Sequence, residues 1–197
     1  MFAFAADVLE LTEVDLAMRY PPGNLGNACD VSAVMKKLDR DVVWDDPFAS
    51  LALAKGRSGL ELLTAVLNGT YPAPPMAALM NLRLAEVEHG RVVFEGDPGE
   101  EHYNPVGVVH GGFALTLLDS ALGCSVHSAL PPDAIYGTID VHARLVRPIK
   151  HDTGTVRCEA TVVSITRSLG TAEARIVDRA GTLLATGTTA CAIRRPE

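Results

Sequence analysis

The segment from Phe113 to Ala129 constrains the fold of this chain more than any other part of its sequence. It reads FALTLLDSALGCSVHSA, and apart from His127 its one ionisable acid or base is Asp119. A helix that is apolar on every side is expected to be buried. A carboxylate inside such a helix is costly unless it is paired or has a function. The segment therefore predicts a long buried helix in which Asp119 is a candidate catalytic residue.

The loop before this helix runs from Asn104 to Gly112 and reads NPVGVVHGG. Its last two glycines would let a ligand approach the backbone closely. The first N–H groups of a helix have no partner within the helix, so they can donate to an anion or a carbonyl oxygen. A donor-rich helix start together with an acid in the helix indicates a hydrolase that attacks a carbonyl carbon.

The two parts of such a site can be assigned to residues. Gly111 is predicted to donate its N–H to the developing oxyanion, and Gly112 to permit the close approach. Asp119 is predicted to act as a base or nucleophile, because a carboxylate in apolar surroundings is more basic than one in water. The alternatives are that both glycines serve the turn alone, and that Asp119 is a structural acid at a subunit interface.

The spacing of these residues bears on assembly. Gly111 and Asp119 lie eight residues apart, which is about 12 Å along a helix. One aspartate side chain cannot reach a carbonyl held at Gly111 of its own helix. If both act on one substrate, they come from two antiparallel helices in different subunits of a two-fold dimer, which then has two identical sites.

Two runs of alternating apolar and polar residues precede the helix, and four follow it. Such alternation predicts half-buried antiparallel strands, and His89-Gly90 between the first two runs predicts a hairpin turn. Ser58 and Glu61 have the spacing of a capping box, which predicts an earlier helix that starts after Ser58. The order indicates an α+β fold, with an antiparallel sheet wrapped around a long helix. The predicted strands are 82–88, 91–95, 136–147, 154–164, 171–178 and 183–193.

Alternation also assigns faces within the first strand after the helix. Thr138 is predicted to share a face with the polar residues Asp140, His142 and Arg144. The opposite face then carries the apolar residues Ile139, Val141, Ala143 and Leu145.

The bulk composition excludes several classes of function. The formal net charge is −7, which argues against nucleic acid as a partner. No apolar run is long enough to span a membrane, and the start of the chain lacks the basic region of a signal peptide, so we expect a cytoplasmic protein. The four cysteines are widely spaced, which is typical of core thiols. No group of residues has metal-ligand spacing, so no metal is expected.

The motif as a whole resembles the hotdog-fold acyl-CoA thioesterases, in particular the phenylacetate-pathway (PaaI-like) branch. The resemblance covers residues 58–193 approximately and continues through Thr138 and the strand that ends in Arg147-Pro148. The motif residues that match the family position for position are Asn104, His110, Gly111, Gly112 and Asp119.

The resemblance implies a hotdog domain over residues 56–197, preceded by an N-terminal extension over residues 1–55. It also implies an enzyme that hydrolyses an acyl- or aryl-acyl-CoA to the free acid and coenzyme A. Coenzyme A would enter as part of the substrate, and no separate cofactor is expected. The family works at dimer interfaces, which implies a homodimer or a dimer of dimers.

The resemblance also implies roles for side chains whose own pattern leaves alternatives open. Asn104 would orient the thioester carbonyl or the water, although an Asn before Pro is often a turn residue. His110 would steer the leaving thiolate or the loop, or be purely structural. Thr138 would hold the water against the acid, or be an ordinary strand threonine. Apart from the resemblance, guanidinium and ammonium groups suit the phosphates of coenzyme A, and Arg147 and Lys150 are the predicted contacts. The other basic residues that could meet these phosphates are Arg144, Arg167, Arg194 and Arg195.

Two other functions fit part of this pattern. A hotdog protein could bind acyl-CoA as a regulatory module without cleaving it, but such a module has no need of an acid opposite the helix start. A hotdog dehydratase pairs a loop histidine with a helix acid. The Gly-Gly after His110 and the lack of a proline-rich loop argue against it.

Overall fold

The computed structural model describes residues 36–38 and 40–196. Most of the predicted N-terminal extension, 1–55, therefore lies outside the described residues, as does Cys29. From Val42 onward the chain forms one compact unit. The predicted boundary between residues 55 and 56 stays a prediction.

Six strands form one antiparallel sheet in the order β1-β2-β4-β5-β6-β3. β1 and β2 form the predicted hairpin, and Gly90 in its turn has a φ of +77°, which glycine adopts without strain. β3 follows the long helix in sequence and pairs with β6 at the far edge. The strands are β1 Leu82–Glu88, β2 Arg91–Gly96, β3 Ile135–Leu145, β4 Val156–Ile165, β5 Leu169–Val177 and β6 Leu183–Arg194.

Among the described residues, four α-helices accompany the sheet. They are α1 Pro47–Ala54, α2 Gly59–Leu67, α3 Pro75–Leu79 and α4 Gly111–Ser128. The predicted capping box is present at the start of α2, where the Ser58 side chain accepts from the Glu61 N–H and the Glu61 carboxylate accepts from the Ser58 N–H. The described part of the chain also has short 3₁₀ turns at Glu100–His102, between β2 and α4, and at His151–Thr153, between β3 and β4.

α4 lies across the inner face of the sheet and forms the centre of the core. Phe113, Leu117, Leu118 and Leu122 are all at most 1% exposed. The sheet carries small residues where it comes closest to the helix: a Cβ on Gly187 would lie 3.0 Å from a methyl carbon of Leu118. Cys158 and Cys191 are fully buried on the same inner face, as expected for core thiols. The predicted hotdog arrangement, a sheet wrapped around one long helix, is confirmed.

The prediction that α4 is buried on every side is wrong for one stripe. Leu115 is 43% exposed, and Asp119, one turn later, is also exposed. Residues at i and i+4 share a helix face. This face of α4 lies beside the edge strand β3 and is not covered by the sheet. The acid is therefore open to solvent in the single chain.

A β-bulge in β3 corrects the predicted faces of that strand. The pairing with β6 shifts between Thr138 and Asp140, so Thr138 stands opposite the buried Cys191 while Asp140 stands opposite Ala190. An extra residue in one strand reverses the alternation beyond it. Thr138 therefore lies on the inner face, toward α4, and does not share the face of Asp140, His142 and Arg144.

Candidate active site

Asp119 and Thr138 meet at the open side of α4. The Thr138 hydroxyl donates to Asp119 Oδ1 at 3.0 Å. The bulge in β3 makes this contact possible, because without it the threonine would point to the outer face. The hydrogen bond fixes the carboxylate orientation and leaves its second oxygen free to accept from a water or substrate.

The start of α4 is capped by the residue before it. His110 is the N-cap, and its Nδ1 accepts from the Gly112 N–H at 2.9 Å. The Phe113 N–H donates to the His110 carbonyl at 3.0 Å. The Gly111 N–H has no hydrogen-bond partner among the described residues, so it is the free donor at this helix start. The imidazole of His110 thus holds the turn that presents Gly111.

The motif loop is closed by Asn104. Its Oδ1 accepts from the Val106 N–H at 3.0 Å and from the Val108 N–H at 3.3 Å. Its backbone N–H donates to the Val108 carbonyl at 2.8 Å. The carbonyl oxygen of this side chain is therefore used within the loop, as expected for a turn residue. The side-chain amino group stays available to a ligand.

A second anchor holds this loop and was not predicted. The Tyr103 hydroxyl lies 2.7 Å from His151 Nδ1 and accepts from the His151 backbone N–H at 3.1 Å. The Val109 N–H donates to the Ile149 carbonyl at 2.9 Å. The motif loop is therefore tied to the segment between β3 and β4. No spacing rule connects residues so far apart in sequence, and only the fold reveals the contact.

The basic residues predicted to meet coenzyme A phosphates differ in availability. Arg147 donates from Nη1 to the Leu183 carbonyl at 2.7 Å, which fixes its guanidinium at the start of β6. Lys150 is exposed, and its ammonium group makes no hydrogen bond or ion pair among the described residues. Lys150 is thus the freer of the two to bind a phosphate.

Within one chain the site falls into two separate parts. One part is Asp119 with Thr138, and the other is the free N–H of Gly111 with its capping histidine. Asp119 and Gly111 both lie on α4, about 12 Å apart along the helix axis. A substrate carbonyl bound at one part is out of reach of the other part in the same chain.

No group of three or more His, Cys, Asp or Glu side chains that could hold a metal ion occurs in the described part of the chain. Likewise, none of its helices is both long and apolar enough to cross a membrane.

Comparison with known proteins shows which proteins this chain is similar to. The Thioesterase superfamily sequence model matches residues 106–185, which include the helix start, α4 and the acid. A crystal structure from Ralstonia eutropha, described as a thioesterase and phenylacetic acid degradation-related protein, superposes with a TM-score of 0.61 at 24% identity. It covers 66% of this chain and 98% of its own. The predicted resemblance to the hotdog thioesterases of the PaaI-like branch is thereby confirmed.

Two relatives are similar in sequence. A Halobacterium salinarum protein named as an esterase is 38% identical over 103 residues, which span 51% of this chain and 62% of the relative. The 1,4-dihydroxy-2-naphthoyl-CoA hydrolase of Listeria monocytogenes is 23% identical over 116 residues, which span 59% of this chain and 93% of the hydrolase. The chain thus spans less than two thirds of the length of the Halobacterium relative.

Proposed function

We propose that the protein hydrolyses the thioester of an acyl- or aryl-acyl-CoA to the free acid and coenzyme A. The observation that carries this proposal is the Asp119–Thr138 pair, held on a solvent-open stripe of a helix whose first N–H is free. The Listeria relative acts, by its name, on an aromatic acyl-CoA, which supports a substrate of this class.

In the proposed reaction Asp119 activates the attacking group. As general base it takes a proton from water, and the resulting hydroxide attacks the thioester carbonyl carbon. As nucleophile it would attack that carbon itself and form an anhydride that water then cleaves. In both routes the carbonyl oxygen becomes an oxyanion that accepts from the Gly111 N–H, and collapse breaks the C–S bond and releases the coenzyme A thiolate. Thr138 positions the carboxylate, and no cofactor is needed.

We propose further that each site is shared between two subunits. β3 is an edge strand whose outer side has no paired strand among the described residues, and it exposes Ile135 and Ile139. An exposed apolar edge is a site for pairing with another chain. Antiparallel pairing of β3 with β3 of a second copy would bury these side chains next to Asp119. It would also bring the helix start of the partner subunit toward that acid.

The decisive experiment measures free thiol released from a panel of short-chain, long-chain and aromatic acyl-CoAs. We expect turnover of at least one member, and at least a hundredfold lower kcat for Asp119→Asn, the order expected for loss of a general base or nucleophile. Ser120→Ala is the matched control, because Ser120 is the half-buried neighbour on the same helix turn.

Three results would contradict the proposal. The first is no turnover of any member by a folded protein. The second is stoichiometric binding of acyl-CoA without thiol release, which indicates a binding module. The third is near-normal turnover by Asp119→Asn with an unchanged circular dichroism spectrum, which removes Asp119 from the reaction.

A further inference from the structure

The face of the sheet opposite α4 contains an open trough of about 580 Å³. It crosses four adjacent strands, β3, β6, β5 and β4. A volume of this size is within the usual range for small-molecule sites. Because the sheet separates it from α4, the trough is not part of the site around Asp119. We call it the outer trough.

Two arginines of the outer trough, Arg144 on β3 and Arg175 on β5, have no carboxylate partner. Neither makes an ion pair or a side-chain hydrogen bond among the described residues. On β1, β2 and β4 the arginines of this face are paired with acids: Arg83 with Glu95 and Asp97, Arg91 with Glu86, Glu88 and Glu159, and Arg157 with Glu86 and Glu95. The two guanidinium groups of the trough are thus left free, while those of the three neighbouring strands are neutralised.

The strand register places these two arginines in one row. Arg144 stands directly opposite Thr186 on β6, and Thr186 stands directly opposite Arg175. Neighbouring strands are about 4.8 Å apart, so the two arginine Cα atoms are about 10 Å apart with a hydroxyl between them. Two long side chains at this spacing can converge on one anion above Thr186.

The nearest acid of the neighbouring strand does not neutralise this pair. Glu159 lies opposite Arg175 in the register. Its carboxylate instead accepts from Arg91 Nε at 3.1 Å. A phosphate with several terminal oxygens fits two guanidinium forks better than a single carboxylate does, because each fork can donate twice.

The next row of the outer trough favours hydroxyl groups on the ligand. It contains Thr188 on β6 and Glu173 on β5, which stand opposite each other. The exposed Glu173 carboxylate makes no ion pair among the described residues and is an acceptor for ligand hydroxyls. A second anionic group at this position would be repelled.

We propose that the outer trough binds a small phosphorylated metabolite that carries hydroxyl groups, with its phosphate held between Arg144 and Arg175 above Thr186. This site is separate from the thioesterase site and does not depend on it.

Titration calorimetry of the full chain tests the proposal with four probes: glucose 6-phosphate, adenosine 5′-monophosphate, inorganic phosphate and glucose. We expect at least one of the two phosphate esters to bind more tightly than inorganic phosphate, and glucose not to bind. The double substitution Arg144→Gln with Arg175→Gln should weaken binding of the ester at least tenfold. Arg167→Gln is the matched control, because Arg167 is exposed on a loop outside the trough, and it should leave binding unchanged.

The other outcomes each overturn the proposal. They are no binding of either ester, binding that the double variant retains, and equal weakening by Arg167→Gln, which indicates general charge attraction. A change of oligomeric state in the double variant without ester binding to the wild type would make the pair a subunit contact. Circular dichroism confirms that the variants are folded, and binding by Asp119→Asn at wild-type strength separates this site from the catalytic one.

Discussion

The two halves of α4 have opposite surroundings. The N-terminal half leaves Leu115 and Asp119 open to solvent, while in the C-terminal half Ser125, Val126 and Ser128 are at most 1% exposed. The difference arises from what packs on each half, because α2 covers the C-terminal part and no described element covers the stripe with Asp119. The half that carries the proposed catalytic residues is therefore the half that is left uncovered in a single chain.

The C-terminal half is closed by specific contacts. The Ser128 hydroxyl donates to the Ser125 carbonyl and accepts from the Gly90 N–H, both at 2.8 Å, which ties the β1–β2 turn to the helix. The Gly59 N–H donates to the Leu130 carbonyl at 3.2 Å. A Cβ on Gly59 would lie only 1.8 Å from the His127 carbonyl oxygen, so α2 can dock here only through glycine. Burial lowers the pKa of His127, which favours its neutral form.

The largest expected effect tests whether the site on the N-terminal half of α4, which we call the open half, is completed by a second subunit. Gly111→Pro removes the N–H donor, and Asp119→Ala removes the acid, so each homodimer should lose at least a hundredfold in kcat. In a mixed dimer one site carries both lesions and the other carries neither. Random subunit exchange should therefore recover up to about a quarter of wild-type specific activity, measured by thiol release.

This experiment needs proof of exchange and of folding. Mass spectrometry of the mixed dimers supplies the first, and circular dichroism of each variant the second. Confirmed exchange with no recovery would show that each subunit builds its own site, and an active monomer in sedimentation would lead to the same conclusion.

The next largest effect concerns the C-terminal half of α4, against which α2 packs. Gly59→Ala should destabilise the domain by about 3 kcal/mol or more, because the clash is with backbone that cannot move aside. Urea unfolding measures the change. Gly137→Ala is the matched control, because a Cβ there meets no atom within 4 Å, and it should change the free energy of unfolding by less than about 1 kcal/mol. Equal stability of the two variants would mean that α2 does not dock as described.

A smaller effect is expected at the threonine that orients the acid. Thr138→Val keeps the shape of the side chain and removes the hydrogen bond to Asp119, so kcat should fall about tenfold while the free energy of unfolding changes little. Thr138→Ser should restore most of the rate, whereas Thr188→Val on the outer face should leave the rate unchanged. If valine at position 138 is fully active, Thr138 has no positioning role.

No effect is expected from chelation. The open half offers an acid and an N–H donor, which suffice for the proposed reaction, so kcat should be the same before and after exhaustive treatment with EDTA. Loss of turnover that a divalent ion restores would show that the open half is completed by a metal and not only by a second subunit.

The fold could be predicted from the sequence because its patterns are local. The capping box at Ser58, the turn at Gly90 and the alternation of the strands each depend on residues close together in the chain. The exposed position of Asp119 could not be predicted, because a helix sequence does not say which stripe remains uncovered. The face of Thr138 was predicted wrongly, since a bulge is set by strand pairing and leaves no mark on the alternation. The Tyr103–His151 contact likewise depends on loops that only the fold brings together.

The cysteines in and around the core have a practical consequence for assays of this protein. Burial raises the pKa of the Cys124 thiol to about 12, and it also raises the pKa values of Cys158 and Cys191. Because the thiolate is the reactive form, these three groups should react very slowly with disulfide reagents at neutral pH. A colorimetric disulfide reagent would then report the thiol of released coenzyme A with little background from these three residues of the folded protein. The same reagent would react with them on unfolding, so a slow rise in colour without substrate is a built-in measure of loss of structure.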